Sequence, residues 1–211
     1  MPSIRTEKKL QTRQAILRAA LELSAERGFA GLSLREVAAR AGIAPNSFYR
    51  HFRNMEDLAL ALVDEIGLSL RKLVREARRR IQSGNAGVVR ASIEAFMDYI
   101  RANGNLYRLL IGESAGSSEA LRLAINKEIE RFIEDLAEDL TRAGRRMDRP
   151  VANIPVIAEA MTRLVFSLGA QALDLDDAAH KQLTERIIYQ VRIIMKGAEA
   201  EAAGWSPPSP S

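Results

Sequence analysis

Apolar residues recur every three to four positions along most of the chain, which is the spacing of amphipathic α-helices. In the stretch 34–41, apolar side chains occupy the first, fourth, fifth and eighth positions. Ser33 stands directly before this stretch and Glu36 lies three residues further on, which is the arrangement of a capping box. The pattern therefore predicts a short helix that begins after Ser33.

A second short helix is predicted directly after the first. Gly42 suits the positive φ with which helices commonly end, and Pro45 suits the first turn of a new helix. Its apolar anchors share one face: Pro45, Phe48, Tyr49 and Phe52. The opposite face is polar or cationic: Asn46, Ser47, Arg50 and His51. Because so short a helix is not stable alone, we interpret the pair as a helix-turn-helix that presents its polar face to a DNA major groove.

The same period predicts seven further helices, and no strand pattern survives comparison with it. Their approximate bounds are 6–27, 54–80, 89–103, 106–110, 118–143, 153–173 and 176–202. Breaks in the helices are expected at 82–87, 112–118 and 144–150. Apolar residues cover a broad face of the last helix, which therefore requires partners on two sides. The predicted fold class is all-α, with a three-helix headpiece and a six-helix body.

The predicted domains differ in charge. They are a helix-turn-helix DNA-binding domain at 1–54, a helical ligand-binding and dimerisation domain at 55–203, and a disordered tail at 204–211. Residues 1–53 carry ten Lys and Arg against four Glu, whereas the whole chain has a net charge of +4. This excess favours a polyanionic partner. Arg5, Lys8 and Lys9 are expected to form a basic arm that is either disordered or in contact with DNA.

The helix predicted at 54–80 ends in a strongly basic segment. We interpret this segment as a solvated face in which Arg71 and Arg75 lie close to Glu76. A second nucleic-acid patch is the alternative. The apolar stripe of the same helix is predicted to contain Leu58, Leu62, Ile66, Leu70 and Leu73.

Groups that carry enzyme chemistry are scarce. The chain has no Cys and two His, His51 and His180, which do not stand at the spacing of metal ligands. The acids within 128–139 are interpreted as a solvated helix face. We therefore expect no enzyme activity, no cofactor and no metal. The basic N-terminus has no apolar core and no run of 18 apolar residues occurs, so we expect a cytoplasmic protein without a membrane span.

Residues 16–52, ILRAALELSAERGFAGLSLREVAARAGIAPNSFYRHF, resemble the DNA-binding region of the TetR family of bacterial repressors. Segments of the body, among them YRLLIGESAGSS and LVFSLGAQALD, resemble the branch that represses unsaturated fatty acid synthesis genes. The resemblance implies a homodimer, held by a four-helix bundle of the last two helices of each chain, on a palindromic operator. It also implies an effector that is a long-chain acyl-CoA or acyl-ACP.

The resemblance assigns roles to positions of this sequence. It implies these DNA-contacting residues: Ser33, Arg35, Ala44, Pro45, Asn46, Ser47, Tyr49, Arg50 and His51. Among them Asn46, Ser47 and Arg50 are placed near bases, whereas Ser33, Arg35, Tyr49 and His51 are placed near phosphates. Many members have a phosphate-binding Lys where this chain has Met55. The expected dimer interface comprises Leu164, Leu168, Leu183, Ile187, Val191 and Ile194.

The apolar inner faces of the body suit the chain of an acyl group. The candidate ligand-binding residues are Leu62, Ile66, Phe96, Met97, Ile100, Leu109, Leu110, Phe132, Met161, Val165 and Phe166. Ordinary core packing is the alternative for each of them. At the level of function, the alternatives are a TetR-type repressor of another hydrophobic effector such as a drug, a ligand-blind DNA-organising protein, and an acyl-binding enzyme.

Overall fold

The computed structural model describes residues 4–80, 84–116, 118–148 and 150–204. These residues form α-helices and short 3-10 turns without any strand, which confirms the all-α prediction. The helices are α1 (Ile4–Arg27), α2 (Leu34–Arg40), α3 (Pro45–Phe48), α4 (Met55–Arg80), α5 (Gly84–Ala102), α6 (Gly104–Ser114), α7 (Glu119–Met147), α8 (Ile154–Gly169) and α9 (Asp177–Ala202). The predicted disordered tail lies, from residue 205 onward, outside the described residues.

Several helices extend beyond their predicted bounds. α1 begins at Ile4, so the predicted basic arm is part of a helix. α5 begins at Gly84, inside the predicted break, and α7 continues to Met147, through most of the predicted linker. The predictions were wrong here because they rested on Gly and charge composition. A Gly inside a helix costs only about 1 kcal/mol, which packing against other helices outweighs.

The chain divides into two compact units. The first contains residues up to Leu68 together with Asn103–Asn126, and the second contains Ser69–Ala102 together with residues from Lys127 onward. The division falls within α4 and within α7. The first unit therefore contains α6 in addition to the three headpiece helices.

The core of the first unit is built around α1. Ile16 and Ala20 of α1 are fully buried, as are Val37 of α2 and Phe48 of α3. α6 packs against α1 and contributes Tyr107, whose burial raises the pKa of its hydroxyl. These contacts give the short helices α2 and α3 the tertiary support that they lack on their own.

The core of the second unit is formed by α5, α8 and α9, with part of α4 and α7. α9 packs against both α5 and α8. It buries apolar side chains on two sides, as its broad apolar face predicted. Its buried residues include Leu183, Ile187, Ile188, Val191 and Met195.

The basic end of α4 forms ion pairs with α7. Arg71 and Arg131 both donate hydrogen bonds to the buried carboxylate of Glu128. Arg75 donates to both carboxylate oxygens of Asp135 at 2.9 and 2.8 Å. Instead of the predicted pairing with Glu76, Arg71 and Arg75 form ion pairs with acids of a neighbouring helix, α7.

Two further predictions concern the start of α4 and its apolar stripe. The predicted cap at Asn54 is confirmed, since its side chain accepts a hydrogen bond from the Asp57 amide at 2.8 Å. Leu73, predicted in the apolar stripe, is instead exposed, and the buried position belongs to Val74. One stretch of the described residues, Ile154–Asp174, is long and apolar enough to cross a membrane by length and composition alone.

Candidate DNA-binding face and effector cavity

The bounds of α2 are determined by local chemistry at both of its ends. The predicted capping box is present: Ser33 Oγ accepts from the Glu36 amide at 3.3 Å, and the Ser33 amide donates to Glu36 Oε2 at 3.0 Å. At the other end Gly42 has φ +70°. The amide of Ile43 donates to the carbonyl of Ala38 at 3.0 Å, in the 6→1 pattern of a Schellman motif.

α3 is short and is held by two aromatic side chains. Pro45 occupies its first turn, and the helix ends at Phe48 rather than continuing to Phe52 as predicted. Phe52 still reaches the core, because its amide donates to the Phe48 carbonyl at 3.1 Å. The two rings lie 5.7 Å apart, and Phe52 is 2% exposed. The aromatic anchor therefore positions a helix of four residues.

The predicted DNA-contacting residues lie mostly at the surface. Arg35, Ala44, Pro45, Asn46 and Arg50 are exposed, and Ser47 is half-buried. Tyr49 was predicted among the apolar anchors, but it is 61% exposed. Because the helix ends before Tyr49, the ring of Tyr49 does not follow the helical spacing that would place it in the core. This places the hydroxyl of Tyr49 where it is available to a partner.

Two other predicted positions, Ser33 and His51, are constrained by their surroundings within the protein. The hydroxyl of Ser33 donates to Glu36 Oε2 at 2.7 Å, so a phosphate would have to displace this carboxylate. His51 is half-buried, and its Nδ1 atom is buried without a hydrogen-bond partner among the described residues. Met55 begins α4 and is half-buried, so its side chain offers a thioether at this position.

Sequence reasoning expected Lys9 of α1 in a basic arm but missed the position of Arg13 beside this face. The guanidinium of Arg13 lies over the Phe52 ring, 4.8 Å from its centroid. Burial and the positive charges of Lys9, Arg13 and Arg50 lower the pKa of His51. The available signal was the four-residue spacing of Lys9 and Arg13, which places both on one face of a helix.

The second unit contains an apolar cavity of about 130 Å³. The residues that line it are Val74, Val88, Val89, Ser92, Ile93, Phe96, Phe132, Leu136, Asp139, Leu140, Ala143, Met161, Thr162, Val165, Phe166, Val191 and Met195. Phe166 packs against Phe96 and Phe132, with ring centroids 5.1 and 5.2 Å apart. Asp139 contributes a carboxylate, which is paired with Arg142.

Five of the eleven predicted ligand-binding residues line this cavity: Phe96, Phe132, Met161, Val165 and Phe166. Met97 and Ile100 are fully buried side chains that fill space instead of lining it. The remaining four belong to the first compact unit and do not line the cavity: Leu62, Ile66, Leu109 and Leu110. Some lining residues that were not predicted could have been found from one stripe of α7, along which Phe132, Leu136 and Leu140 follow at four-residue intervals.

The residues predicted at the dimer interface differ in how far they are buried within a single chain. Leu183, Ile187 and Val191 are buried in the core of their own chain, and Val191 also lines the cavity. They face the core because α9 buries two sides within its own unit. Leu164, Leu168 and Ile194 are half-buried. Large apolar side chains exposed on α8 and α9 are Val156, Tyr189 and Ile193.

No group of three or more His, Cys, Asp or Glu that could hold a metal ion occurs in the described part of the chain. A capped helix, a Schellman turn and a short helix with a polar outer face define the class: this is a helix-turn-helix DNA-binding protein.

The comparisons with known proteins agree with this class. Residues 16–62 match the model of the bacterial regulatory proteins of the tetR family. Residues 85–197 match the model of the tetracyclin repressor-like C-terminal domain. The protein therefore belongs to the TetR family, whose members are transcription regulators rather than enzymes and bind DNA operators, usually as dimers with small-molecule effectors.

Solved structures of family members share the fold at low sequence identity. A TetR-family regulator from Syntrophomonas wolfei is 16% identical, with a TM-score of 0.77 over 89% of this chain and 96% of that one. The fatty acid degradation regulator FadR from Bacillus halodurans is 17% identical, with a TM-score of 0.71 over 87% and 94%. Reduced NemR from E. coli is 23% identical, with a TM-score of 0.70 over 87% and 97%.

Proposed function

We propose that this protein is a cytoplasmic repressor that binds a palindromic operator as a homodimer and responds to a hydrophobic effector. The observation that carries the proposal is the polar surface of α3 and of the turn that follows it, where Asn46 and Arg50 are exposed while Phe48 is buried. Because the buried Phe48 anchors this helix to the core, the polar side chains on its outer side have defined positions. Asparagine, serine and arginine are side chains that read base edges in the major groove.

The roles of the DNA-contacting residues differ. Asn46, Ser47 and Arg50 make base contacts and therefore carry sequence preference. Arg35 of α2, Tyr49 and His51 contact phosphates, and Ala44 and Pro45 allow close approach at the start of α3. Ser33 contributes by capping α2 rather than through its hydroxyl, since Glu36 already engages that group.

The dimer interface that we propose uses the outer surfaces of α8 and α9. Val156, Tyr189 and Ile193 are exposed, and Leu164, Leu168 and Ile194 are half-buried on the same two helices. Packing a second copy against these side chains removes apolar surface from water. It also explains why the stretch Ile154–Asp174 is apolar although only 28% of it is buried in one chain.

The dimer proposal has a direct test in sedimentation velocity. Ile193→Asp and Tyr189→Asp place a charge on the proposed interface and are expected to yield folded monomers. Leu123→Asp is the matched control, because Leu123 is equally exposed but lies on α7. A dimer that persists in both α9 variants would contradict the proposed interface.

The effector that we propose first is a long-chain acyl-CoA or acyl-ACP, and the regulated genes are those of unsaturated fatty acid synthesis. The resemblance of the body to that branch of the family supports this assignment, as does the almost wholly apolar lining of the cavity. The lining residues of α7 run from Phe132 to Ala143, which is about 16 Å along the helix. An acyl chain laid along this stripe would contact aromatic and methionine side chains throughout.

A second candidate effector is a compact hydrophobic molecule such as a drug, and the volume of the cavity favours it. A dry apolar cavity of about 150 Å³ in another protein holds a single benzene. The cavity here is about 130 Å³, so a long acyl chain would enter only if the surrounding helices moved apart. Such a ligand would favour the enlarged state by its differential affinity, which is the thermodynamic basis of an effector response.

One titration tests the function and separates the two effectors. An operator duplex is first selected from random DNA with the full-length protein, and its affinity is then measured by fluorescence anisotropy. Palmitoyl-CoA and oleoyl-CoA are added in parallel with a panel of ring-sized hydrophobic molecules. A shift with the acyl thioesters supports the fatty acid assignment, and a shift with the panel alone supports the second candidate. If no duplex is selected, the repressor assignment is wrong.

A further inference from the structure

We infer that the cavity of the second unit selects an effector with a positively charged nitrogen on a compact hydrophobic body, and that the carboxylate of Asp139 recognises this nitrogen. The inference rests on the proposed function, because it specifies the chemical class of the second candidate effector. The observations that support it are the charges of the lining residues and of the ion pairs directly beside them.

Asp139 alone carries a charge among the described residues that line the cavity. The other lining side chains are apolar, apart from the hydroxyl groups of Ser92 and Thr162. An anionic group placed in this cavity would meet the carboxylate in an apolar surrounding, where the repulsion between like charges is strong. A cationic group would be attracted for the same reason. The lining therefore distinguishes ligands by the sign of their charge.

The carboxylate and the aromatic rings of the lining lie at different levels of the cavity. Phe166 packs against Phe96 and Phe132, so the three rings form one cluster. Asp139 follows Phe132 by seven residues on α7, which is two turns and about 10 Å along the helix axis. Leu136 lines the cavity between them. A ligand can therefore place its apolar body against the rings and Leu136 and its polar end at Asp139.

The ion pair that Asp139 forms with Arg142 is easily exchanged for a ligand. The side chain of Arg142 is 65% exposed, and ion pairs at such exposed sites contribute little to stability. Arg142 also lies 3.9 Å from a carboxylate oxygen of Glu138, so it keeps an acidic partner when Asp139 binds a ligand. A cation enclosed by the apolar lining is less hydrated than Arg142, and its attraction to Asp139 is therefore stronger.

Arg75 of α4 is a second cation that acts on this region, and it is already held by another acid. It donates to both carboxylate oxygens of Asp135, at 2.9 and 2.8 Å. Asp135 is the main cause of the raised pKa of Arg75, to which Asp139 and Glu138 contribute less. Three acids thus face two arginines in this network, because Arg142 is the other base. This excess of negative charge favours a ligand cation at Asp139.

The balance of charge is reversed behind the aromatic rings. Arg71 and Arg131 both donate hydrogen bonds to the carboxylate of Glu128, so two bases share one acid. The guanidinium of Arg71 lies over the Phe132 ring, 5.7 Å from its centroid. Neither arginine lines the cavity, but their charge disfavours a positive ligand group beside Phe132. The two ends of the cavity therefore agree on one orientation, with the nitrogen of the ligand at Asp139.

The experiment compares three small probes that share one hydrophobic body. Phenethylamine, phenethyl alcohol and hydrocinnamate each carry a phenyl ring on a two-carbon linker, and they end in an ammonium, a hydroxyl and a carboxylate group. Their dissociation constants for the full-length protein are measured by NMR titration at neutral pH without DNA. The amine is expected to bind at least about tenfold more tightly than either of the others, which is the effect of one hydrogen bond to a charged group.

Two variants test whether Asp139 is the source of this preference. Asp139→Asn keeps the size of the side chain and removes its charge, so the amine should lose its advantage over the alcohol. Glu134→Gln is the matched control, because Glu134 is an exposed acid of the same helix that does not line the cavity. This variant should keep the preference of the wild-type protein. Thermal unfolding of both variants verifies that they are folded, and the ranking of the probes on the wild-type protein needs no variant.

The outcomes separate this inference from the proposed function. If the wild-type protein selects an operator but binds the amine no more tightly than the alcohol and the carboxylate, the inference is wrong and the repressor assignment stands. A preference that survives in Asp139→Asn, or that is lost equally in Glu134→Gln, also overturns it. If the amine binds as expected but leaves operator affinity unchanged, or if no duplex is selected, the proposed function fails while the charge preference of the cavity stands.

Discussion

The outer face of α3 and the cavity of the second unit are built in opposite ways. α3 has four residues, and its function depends on side chains that point away from the core. The cavity is lined from α4, α5, α7, α8 and α9, and its function depends on side chains that point inward. The face is therefore determined by a short stretch of sequence, whereas the cavity exists only after five helices have packed.

On the outer face of α3, the residues proposed to bind DNA differ from those that stabilise the fold. In the cavity, the same residues serve both purposes. A polar side chain on the face of α3 can be removed without opening the core beneath it. A ring in the cavity belongs both to the ligand site and to the hydrophobic core. Substitutions in the two regions should therefore have distinguishable effects on stability and on binding.

The largest expected effect is on the cavity. Phe132→Ala should lower the free energy of unfolding by about 3–5 kcal/mol, because a buried ring that packs against Phe166 is lost and a void remains. Leu123→Ala on the same helix is the control and should stay within about 0.5 kcal/mol, since Leu123 is exposed. Denaturant unfolding of both variants measures the difference. Equal losses would mean that the cavity wall is not part of the core.

The next effect is on DNA binding. Arg50→Ala should weaken operator binding by about 1–3 kcal/mol, which is the range of a base contact, while the unfolding midpoint stays unchanged. Lys72→Ala, an exposed lysine on α4, should change neither quantity. Anisotropy and thermal unfolding on the same preparations provide the measurement. A large loss of stability in Arg50→Ala would show that face and core are not separable here.

A smaller effect tests the local determinants of the headpiece. Ser33→Ala removes the cap of α2 and should lower the stability of the headpiece by about 0.5–2 kcal/mol. Ser167→Ala, at an exposed site on α8, should have almost no effect. Amide hydrogen exchange in α2 reports the change locally. Unaltered protection in α2 would imply that packing, and not the capping box, determines where this helix begins.

The smallest effect concerns pH. In the free protein, burial together with Lys9, Arg13 and Arg50 lowers the pKa of His51 below its ordinary value of 6.5. A phosphate beside the ring favours the charged form and raises that pKa, so operator binding takes up a proton. Operator affinity should therefore increase as the pH falls from 8 to 6. His51→Gln should remove this part of the pH dependence, and an unchanged profile would exclude His51 from the contact.

Much of the headpiece could be predicted from the sequence because its determinants are local. The Ser33 capping box, the positive φ of Gly42 and Pro45 at a helix start are all properties of a few neighbouring residues. Tyr49 was wrongly predicted on the apolar face, and the contact of Arg13 with the Phe52 ring was not predicted. In both cases the determining factor was tertiary, namely where α3 ends and which ring α1 meets.

The body was predictable in its helices but less so in its site. Its apolar periods predicted six helices, whereas the residues that face the cavity depend on how these helices are rotated against one another. Periodicity marks a residue as inward-facing but does not distinguish a filled position such as Met97 from a lining position such as Phe96. The same limit explains Ile187, which was expected at a dimer interface but lies in the core.

The central claim is that the outer face of α3 reads the sequence of a DNA duplex. The most direct test measures the affinity of the wild-type protein for its selected operator and for a scrambled duplex of the same length and composition, at one fixed salt concentration. The account predicts a preference of about 10³-fold or more for the operator, which Asn46→Ala reduces. Equal affinity for the two duplexes would contradict it.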